Sequence, residues 1–549
     1  MTVPAVSGAP AAPAWPSIPA MLAATELHHG ALPAVRDGET TLTYTALTGA
    51  ARRFGAALVA SGVEPGDRVA LWCFNCAEWI VAALGVFAAG GVLVPVNTRF
   101  KGAEAADLLV RSRARVLVTV RDFLGADYLA LLQGTGTPLP ALRTVVVAHG
   151  PTQAPTDGPD PDGRTVVGWE TFLAGATAKA LSEVRRRSAA LGPEDPSDIL
   201  FTSGTTGVPK GVVMTHGRTV TVATDWVAMT GLSAGDVYLQ VNPYFHMFGL
   251  KAGILASVAA AATMLPEPTF DVARALSRVE AEGVTVLPGA PTIYQSILNH
   301  PERDAHDLTS LRVAVTGAAD IPVDLIRQVH TELPFSFIVT GYGLTEAGTA
   351  SASGGDDDPE AIATTVGRPR PGFEIRIVGE GDRDVPSGEA GEVTLRGGSV
   401  MAGYLDDPVE TAKVLSPDGW LRTGDLGVID DAGRLRIVGR VKDMFIVGGF
   451  NAYPAEIENA LLRHPAVQQA AVIGIPDERL GEVGMAFVVV SQDVTAAGII
   501  EWSRGEMANY KVPRAVEIVD ALPLNATGKV LKDTLREQAL AVLTQAHNP

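Results

Sequence analysis

Between Leu200 and His216 the chain reads LFTSGTTGVPKGVVMTH, and the rest of the sequence is best understood outward from this stretch. An apolar run ends at Thr202; Ser203, Gly204, Thr205, Thr206 and Gly207 follow, then Lys210-Gly211 and a second β-rich run. Glycines let successive backbone N–H groups converge on an anion, the hydroxyls add donors, and Lys210 supplies a point charge. This is phosphate-binding chemistry placed between two strands. No Gly-x-x-x-x-Gly-Lys-Ser/Thr frame fits it, so P-loop kinases and GTPases lose support. A polar hairpin is the bland reading, and the density of Gly, hydroxyls and Lys weighs against it.

On both sides of this loop, short apolar runs bounded by Gly or Pro alternate with helical patterns: RVALWCF, GVLVPV, ARVLVTV, RTVVVAH, VTVLPG, RVAVTG and FSFIVTGYG. Alternation of this kind is the signature of parallel sheets covered by helices, an α/β class. Shorter, hairpin-like strands are expected at EIRIVG, GEVTLRG and GVIDDAGRLRIVGR, a small β subdomain over about 366–439. After Val441 the pattern becomes a compact α+β unit, with a helix near Pro454 to Arg463 and strands at AAVIGIP and MAFVVV. The expected organisation is a flexible tail over 1–20, a large domain over 21–439 and a small domain over 440–549. Gly150 to Gly163 has a linker's composition, and Ser353 to Glu360, with Asp356-Asp357-Asp358, is expected to be a solvated turn rather than a metal site.

The chain's 549 residues allow several cores. A formal net charge of −18 gives no basic field for duplex binding, so no nucleic-acid partner is expected. No Lys or Arg precedes Arg36, so the charged region of a secretory signal is missing. Trp79 to Val96 is long and apolar, but Gly90-Gly91 and Pro95 argue for a buried helix over about Glu78 to Ala89, a turn, and a buried strand from Val92. No transmembrane segment and a cytoplasmic location are expected. The two cysteines, Cys73 and Cys76, suit a reducing interior. Their spacing matches a thioredoxin motif or half a zinc site, yet no second ligand pair accompanies them, and they are read as two small buried thiols.

Segments from about residue 30 to 532 together resemble the adenylate-forming superfamily of acyl-CoA synthetases, aryl-CoA ligases, peptide-synthetase adenylation domains and luciferases. The resemblance implies two stacked sheets in the large domain and a mobile small domain. It implies that Thr202, Ser203, Gly204, Thr205, Thr206, Gly207 and Lys210 wrap the β- and γ-phosphates of ATP. TGYGLTEAG (340–348) is similar to the family's adenine and Mg²⁺ segment: Gly341, Tyr342 and Gly343 at the base, Thr345 on the α-phosphate, Glu346 on the metal, as suits a hard cation. Gly317, Ala318 and Ala319 match the loop on the other face of adenine. GWLRTGDLG (419–427) places Asp425 at the ribose hydroxyls, Arg440 lies near ribose and phosphate, and Lys442 is at the hinge position. Gly448, Gly449 and Phe450 match the pantetheine tunnel, and Lys529 in PLNATGKVLK (523–532) matches the catalytic lysine between the attacking carboxylate and the α-phosphate. Taken bare, these are turn residues and a solvated lysine.

NPYFHMFG (242–249) resembles the gate between acyl pocket and nucleotide, with His246 as the gate. Further pocket lining is expected from Lys251 to Ile254, from 288–294 (PGAPTIY) and from Ala318, with Tyr294, Phe248 and Met247 as apolar walls. No basic side chain clearly sits opposite a second substrate carboxylate; Lys251 is the exception to test. NPYFHMFGLKAGIL, VTVLPGAPTIYQSILNHP and LRVAVTGAAD look closest to ligases for propanoate side chains of steroid ring fragments, with medium or long acyl acids as neighbouring substrates. The expected reaction is acid activation to an acyl-adenylate with pyrophosphate release, then thioester formation with CoA, by a monomer or homodimer. The alternatives are an acyl carrier protein, an amine, or nitrite-dependent diazotisation behind the same adenylating core, a nucleotide sensor without turnover, and a redox protein using the Cys pair.

Overall fold

The computed structural model describes residues 14–149, 158–160, 163–202, 209–317, 323–354, 357–447, 450–477, 479–524 and 530–546. Two compact units divide the chain: Pro4–Glu374 with Leu395–Leu421, and Ile375–Thr394 with Arg422–Pro549. Residues 375–394 and 422–439, which the sequence reading grouped with the large domain, thus group with the C-terminal residues.

The larger unit is built on two nine-stranded mixed sheets. In one, the strands run Arg368–Pro369, Gly348–Ala352, Phe337–Leu344, Val313–Gly317, Val286–Pro288, Val237–Gln240, Thr263–Pro266, Pro33–Asp37 and Thr40–Thr43. In the other the order is Gly403–Tyr404, Lys210–Thr215, Pro196–Thr202, Val92–Pro95, Arg68–Trp72, Val116–Val120, Thr144–His149, Thr165–Gly168 and Gly158–Pro159. Central pairs are parallel and the edges antiparallel. Every apolar run singled out in the sequence is one of these strands, because a strand covered on both faces is apolar throughout instead of alternating. Val35 and Met264 of the first sheet share a core with Val69, Leu93 and Leu117 of the second.

The apolar stretch after Cys76 is a buried helix, Ala77–Ala88, and a buried strand, Val92–Pro95, separated by the Gly90-Gly91 turn. The helix is hydrophobic all round because it lies inside the unit, packed on the Tyr44–Ala60 helix. The two backbones approach so closely that a Cβ at Gly85 would stand 2.8 Å from the Ala51 carbonyl oxygen, so a side chain there forces the helices apart. No helix among the described residues is long and apolar enough to cross a membrane.

Ile18, Pro19 and Ala20, read as tail in the sequence, form the first turn of the helix Ile18–His29, capped by the Ser17 hydroxyl and anchored by the buried Ile18. Of the acidic turn, Asp356 lies outside the described residues. Asp358 caps the helix Pro359–Thr364, and Asp357 pairs with Arg368.

The strands Phe373–Val378, Gly391–Gly397, Leu421–Ile429 and Leu435–Arg440, most of whose residues fall in the second unit, form a four-stranded sheet. A five-stranded sheet follows, in which Val467–Asp477 and Gly481–Val490 form a long hairpin. The helices Pro454–Leu461, Ala496–Glu506 and Lys532–Ala546 cover it around a core of Phe445, Val472, Phe487 and Leu535.

Candidate active site

Thr202 and Lys210 are register partners in the antiparallel pair of Pro196–Thr202 and Lys210–Thr215. Ser203, Gly204, Thr205, Thr206 and Gly207 lie outside the described residues, as do Ala318, Ala319, Gly448, Gly449 and Lys529. Lys210 is held from a second direction. Its ammonium lies 2.5 Å from Glu410 Oε2 and 5.1 Å from the centre of the Tyr404 ring. Glu410 is in the first turn of the helix Pro408–Val414, and its carboxyl is pulled down to about 2 by Lys210 and Lys413.

Tyr404 joins this cation to Glu346. Its strand pairs with Lys210–Thr215, Val212 opposite Tyr404, and its phenol donates to Glu346 Oε1 at 3.1 Å. The Glu346 backbone carbonyl accepts from Met401 N at 2.7 Å. Burial and the neighbouring Glu346 charge push the Tyr404 phenol well up, so it stays a donor. Sequence reasoning missed Tyr404 and Glu410. Their partners lie 58 and 200 positions away, and only the antiparallel addition of Gly403–Tyr404 to the hairpin edge brings them in.

The parallel register sets Thr316 opposite Thr340 and Gly317 opposite Gly341, which brings the two segments expected to flank adenine side by side. Tyr342 and Thr345 are half-buried. Gly343 has a steric reason to be glycine: a Cβ there would stand 2.4 Å from the Gly348 carbonyl oxygen where Phe337–Leu344 turns back on itself.

In the second unit Asp425 and Arg440 face each other across the hairpin of Leu421–Ile429 and Leu435–Arg440. Arg440 Nε lies 2.9 Å from Asp425 Oδ1, with Asp425 buried and Arg440 half-exposed. Lys442 is exposed in the turn that follows, where Asp443 and Met444 N–H groups both donate to the Arg440 carbonyl. Phe450 begins the strand Phe450–Ala452, paired with Phe445–Val447.

His246 is exposed, at the entry to the π-helical segment Phe248–Leu255, and its Nδ1 accepts from Phe248 N at 3.3 Å. π-Helical turns are frequent at functional sites. Met247 and Phe248 are partly buried, Phe248 edge-on to Trp226 at 5.1 Å. Two expected pocket residues belong elsewhere. Tyr294 is a core tyrosine, its hydroxyl donating to the Leu287 and Val315 carbonyls at 2.7 and 3.0 Å. Lys251 is fully buried with its ammonium 2.8 Å from Asp198 Oδ1, and Asp198 Oδ2 accepts from Ser197 and Thr219 hydroxyls. Burial pushes the Lys251 ammonium pKa down and Asp198 opposes the shift.

Through Tyr404 the Lys210 ammonium, held by Glu410, and the Glu346 carboxylate, which accepts from the Tyr404 phenol, belong to one connected cluster. The chain matches the model for AMP-binding enzymes over residues 23–405 and the C-terminal domain of AMP-binding enzymes over 456–529. It is similar to two 7a-methyl-1,5-dioxo-octahydro-1H-inden-4-yl propanoyl:CoA ligases. The Rhodococcus jostii ligase is 47% identical over 95% of this chain and 98% of its own length. The Mycobacterium tuberculosis ligase is 49% identical over 90% and 93%. Among solved structures, the anthranilate CoA ligase AuaEII in complex with anthranoyl-AMP superimposes with a TM-score of 0.85 at 28% identity, over 97% of this chain and 99% of that one.

The chain belongs to the AMP-binding enzyme family. Within it, this protein is an AMP-forming acid–CoA ligase, activating a carboxylic acid with ATP and transferring the acyl group to CoA.

Proposed function

We propose that the acid is a propanoate carried on a bicyclic, methyl-substituted ring fragment of a steroid, activated by a cytoplasmic enzyme. The observation that carries this reading is the 47% identity across nearly the whole chain to a ligase named for such an acid. The fate of Lys251 supports it: the one basic residue considered for a second substrate carboxylate is instead matched by Asp198 in the core. An apolar acid with a single carboxylate fits that placement.

The half-reactions then assign roles. The substrate carboxylate attacks the α-phosphorus of ATP and pyrophosphate leaves. Residues 202–207 and Lys210 hold the leaving phosphates, and Lys529 stabilises the charge that builds on the α-phosphoryl oxygens. Glu346 would hold Mg²⁺, since an oriented carboxylate is the oxygen donor such an ion takes beside phosphate; when bound, the ion neutralises phosphate charge. Tyr342, Gly317, Ala318 and Ala319 enclose adenine, Thr345 binds the α-phosphate, Asp425 takes the ribose hydroxyls, and Arg440 holds the Asp425 carboxylate in place. His246 gates the acyl pocket. In the second half-reaction the CoA thiolate, entering past Gly448, Gly449 and Phe450, attacks the acyl carbonyl and AMP leaves.

Residues 440–549 turn about Lys442 between the two steps. A rigid φ at that position blocks the turn, so Lys442→Pro impairs thioester formation from preformed acyl-adenylate at least tenfold more than it impairs adenylation. Equal loss of both steps in single-turnover assays overturns the hinge assignment. For the acid, pyrophosphate release is measured across a panel of carboxylic acids. The bicyclic propanoate is expected to give the highest kcat/KM, and a linear medium-chain or aryl acid exceeding it refutes the substrate proposal.

A further inference from the structure

Away from the residues assigned to the reaction, the structure gathers a second set of chemically capable side chains. Cys73 follows the strand Arg68–Trp72, and Cys76 is the residue on which the helix Ala77–Ala88 begins. Glu78 is in the first turn of that helix, and His149 ends the strand Thr144–His149. One ligand atom from each of Cys76, Glu78 and His149 lies within 4.8 Å of the others, and no other such group exists among the described residues. Cys73 Sγ lies 3.6 Å from Cys76 Sγ, and both thiols are free. His149 Nε2 lies 2.9 Å from Glu78 Oε2. The sequence offered only half a ligand set here, because His149 is 71 positions from Glu78 and reaches it through the parallel strand order.

We propose that Cys76, Glu78 and His149 bind a divalent transition ion of the zinc class, with Cys73, next to Cys76 but outside the three-residue group, swinging in as the fourth donor. The donor set is two sulfurs, one imidazole and one carboxylate, which favours zinc over magnesium or calcium. Zinc–sulfur bonds of about 2.3 Å in a tetrahedron put the sulfurs about 3.8 Å apart, close to the observed separation. The imidazole and carboxylate, at ion-pair distance, have to separate by a few tenths of an ångström, since bonds of about 2.0–2.1 Å set that tetrahedral edge at about 3.3 Å. The cysteines are buried, whereas the Glu78 and His149 side chains are 29% and 36% exposed, which leaves an entry path on one side. Phe74 packs against the His149 ring at 5.2 Å and limits its orientation. Binding releases the thiol protons and leaves His149 neutral. The ion then ties the Arg68–Trp72 strand and the helix to the Thr144–His149 strand.

The test uses the reduced, chelator-treated full chain titrated with Co²⁺ as a spectroscopic probe and then with Zn²⁺. The expected result is one equivalent of Co²⁺ with a thiolate-to-cobalt charge-transfer band, displaced by Zn²⁺, and a higher Tm in the zinc-loaded protein. Cys76→Ser and His149→Gln, the latter half-exposed and expected to keep the fold by circular dichroism, lose the band, and Cys73→Ser weakens it. Absence of the band, or a band unchanged in His149→Gln, overturns the site. A chain purified two hydrogens lighter than its reduced mass and unable to bind Co²⁺ identifies the pair as a disulfide instead, and equally refutes the proposal.

Discussion

Lys529→Ala is expected to lower the rate of acyl-adenylate formation by at least about 10²–10³-fold, the effect of removing one well-placed donor from a developing anion. Thioester formation from preformed acyl-adenylate should be almost untouched, because no charge builds on the α-phosphoryl group of ATP in that step. The two half-reactions are separable by supplying the adenylate directly and following CoA consumption. Loss of both steps points to a folding defect, and survival of both removes Lys529 from catalysis. Far-ultraviolet circular dichroism should match the parent, since the change is expected to act on catalysis and not on the fold.

Lys251→Met is expected to destabilise the larger unit by about 3–5 kcal/mol, because it leaves the Asp198 carboxylate charged and buried with only hydroxyl donors. Both members of the pair have no exposed side-chain surface, so solvent cannot compensate. The double variant Asp198→Asn, Lys251→Met removes both charges and should recover most of the loss in urea unfolding, while Asp198→Asn alone should be nearly as damaging as Lys251→Met. If Lys251 instead faced a second substrate carboxylate, the single change would alter acid preference and leave stability alone.

These two lysines show what was legible in the sequence and what was not. The strands were readable because covering by helices on both faces leaves continuous apolar runs, and the buried helix Ala77–Ala88 was separable from a membrane span by its Gly-Gly stop. The strands that carry Thr202 and Lys210 were readable as two β-rich runs on either side of a glycine-rich segment, and their antiparallel pairing comes from the structure. Lys251 was misplaced because a lysine in an apolar segment reads equally as a pocket cation or a buried ion; its partner, in the strand Pro196–Thr202, decides between them only in three dimensions. Tyr404 and Glu410, like Glu78 and His149, are ordinary in sequence. They acquire meaning from strand order, which brings distant positions to one edge. Asp425 and Arg440 were recognised by resemblance alone, and the register of one hairpin supplies their physical pairing.

The central chemistry is cleavage of ATP between its α- and β-phosphates by an acid that then passes to CoA. The direct measurement follows acid, ATP and Mg²⁺ by mass spectrometry and phosphorus NMR, with CoA withheld and then added. The expected result is acyl-AMP and pyrophosphate in equal amounts before CoA, converting to acyl-CoA and free AMP on its addition. Formation of ADP and inorganic phosphate, or acyl-AMP that persists when CoA is added, would contradict the account.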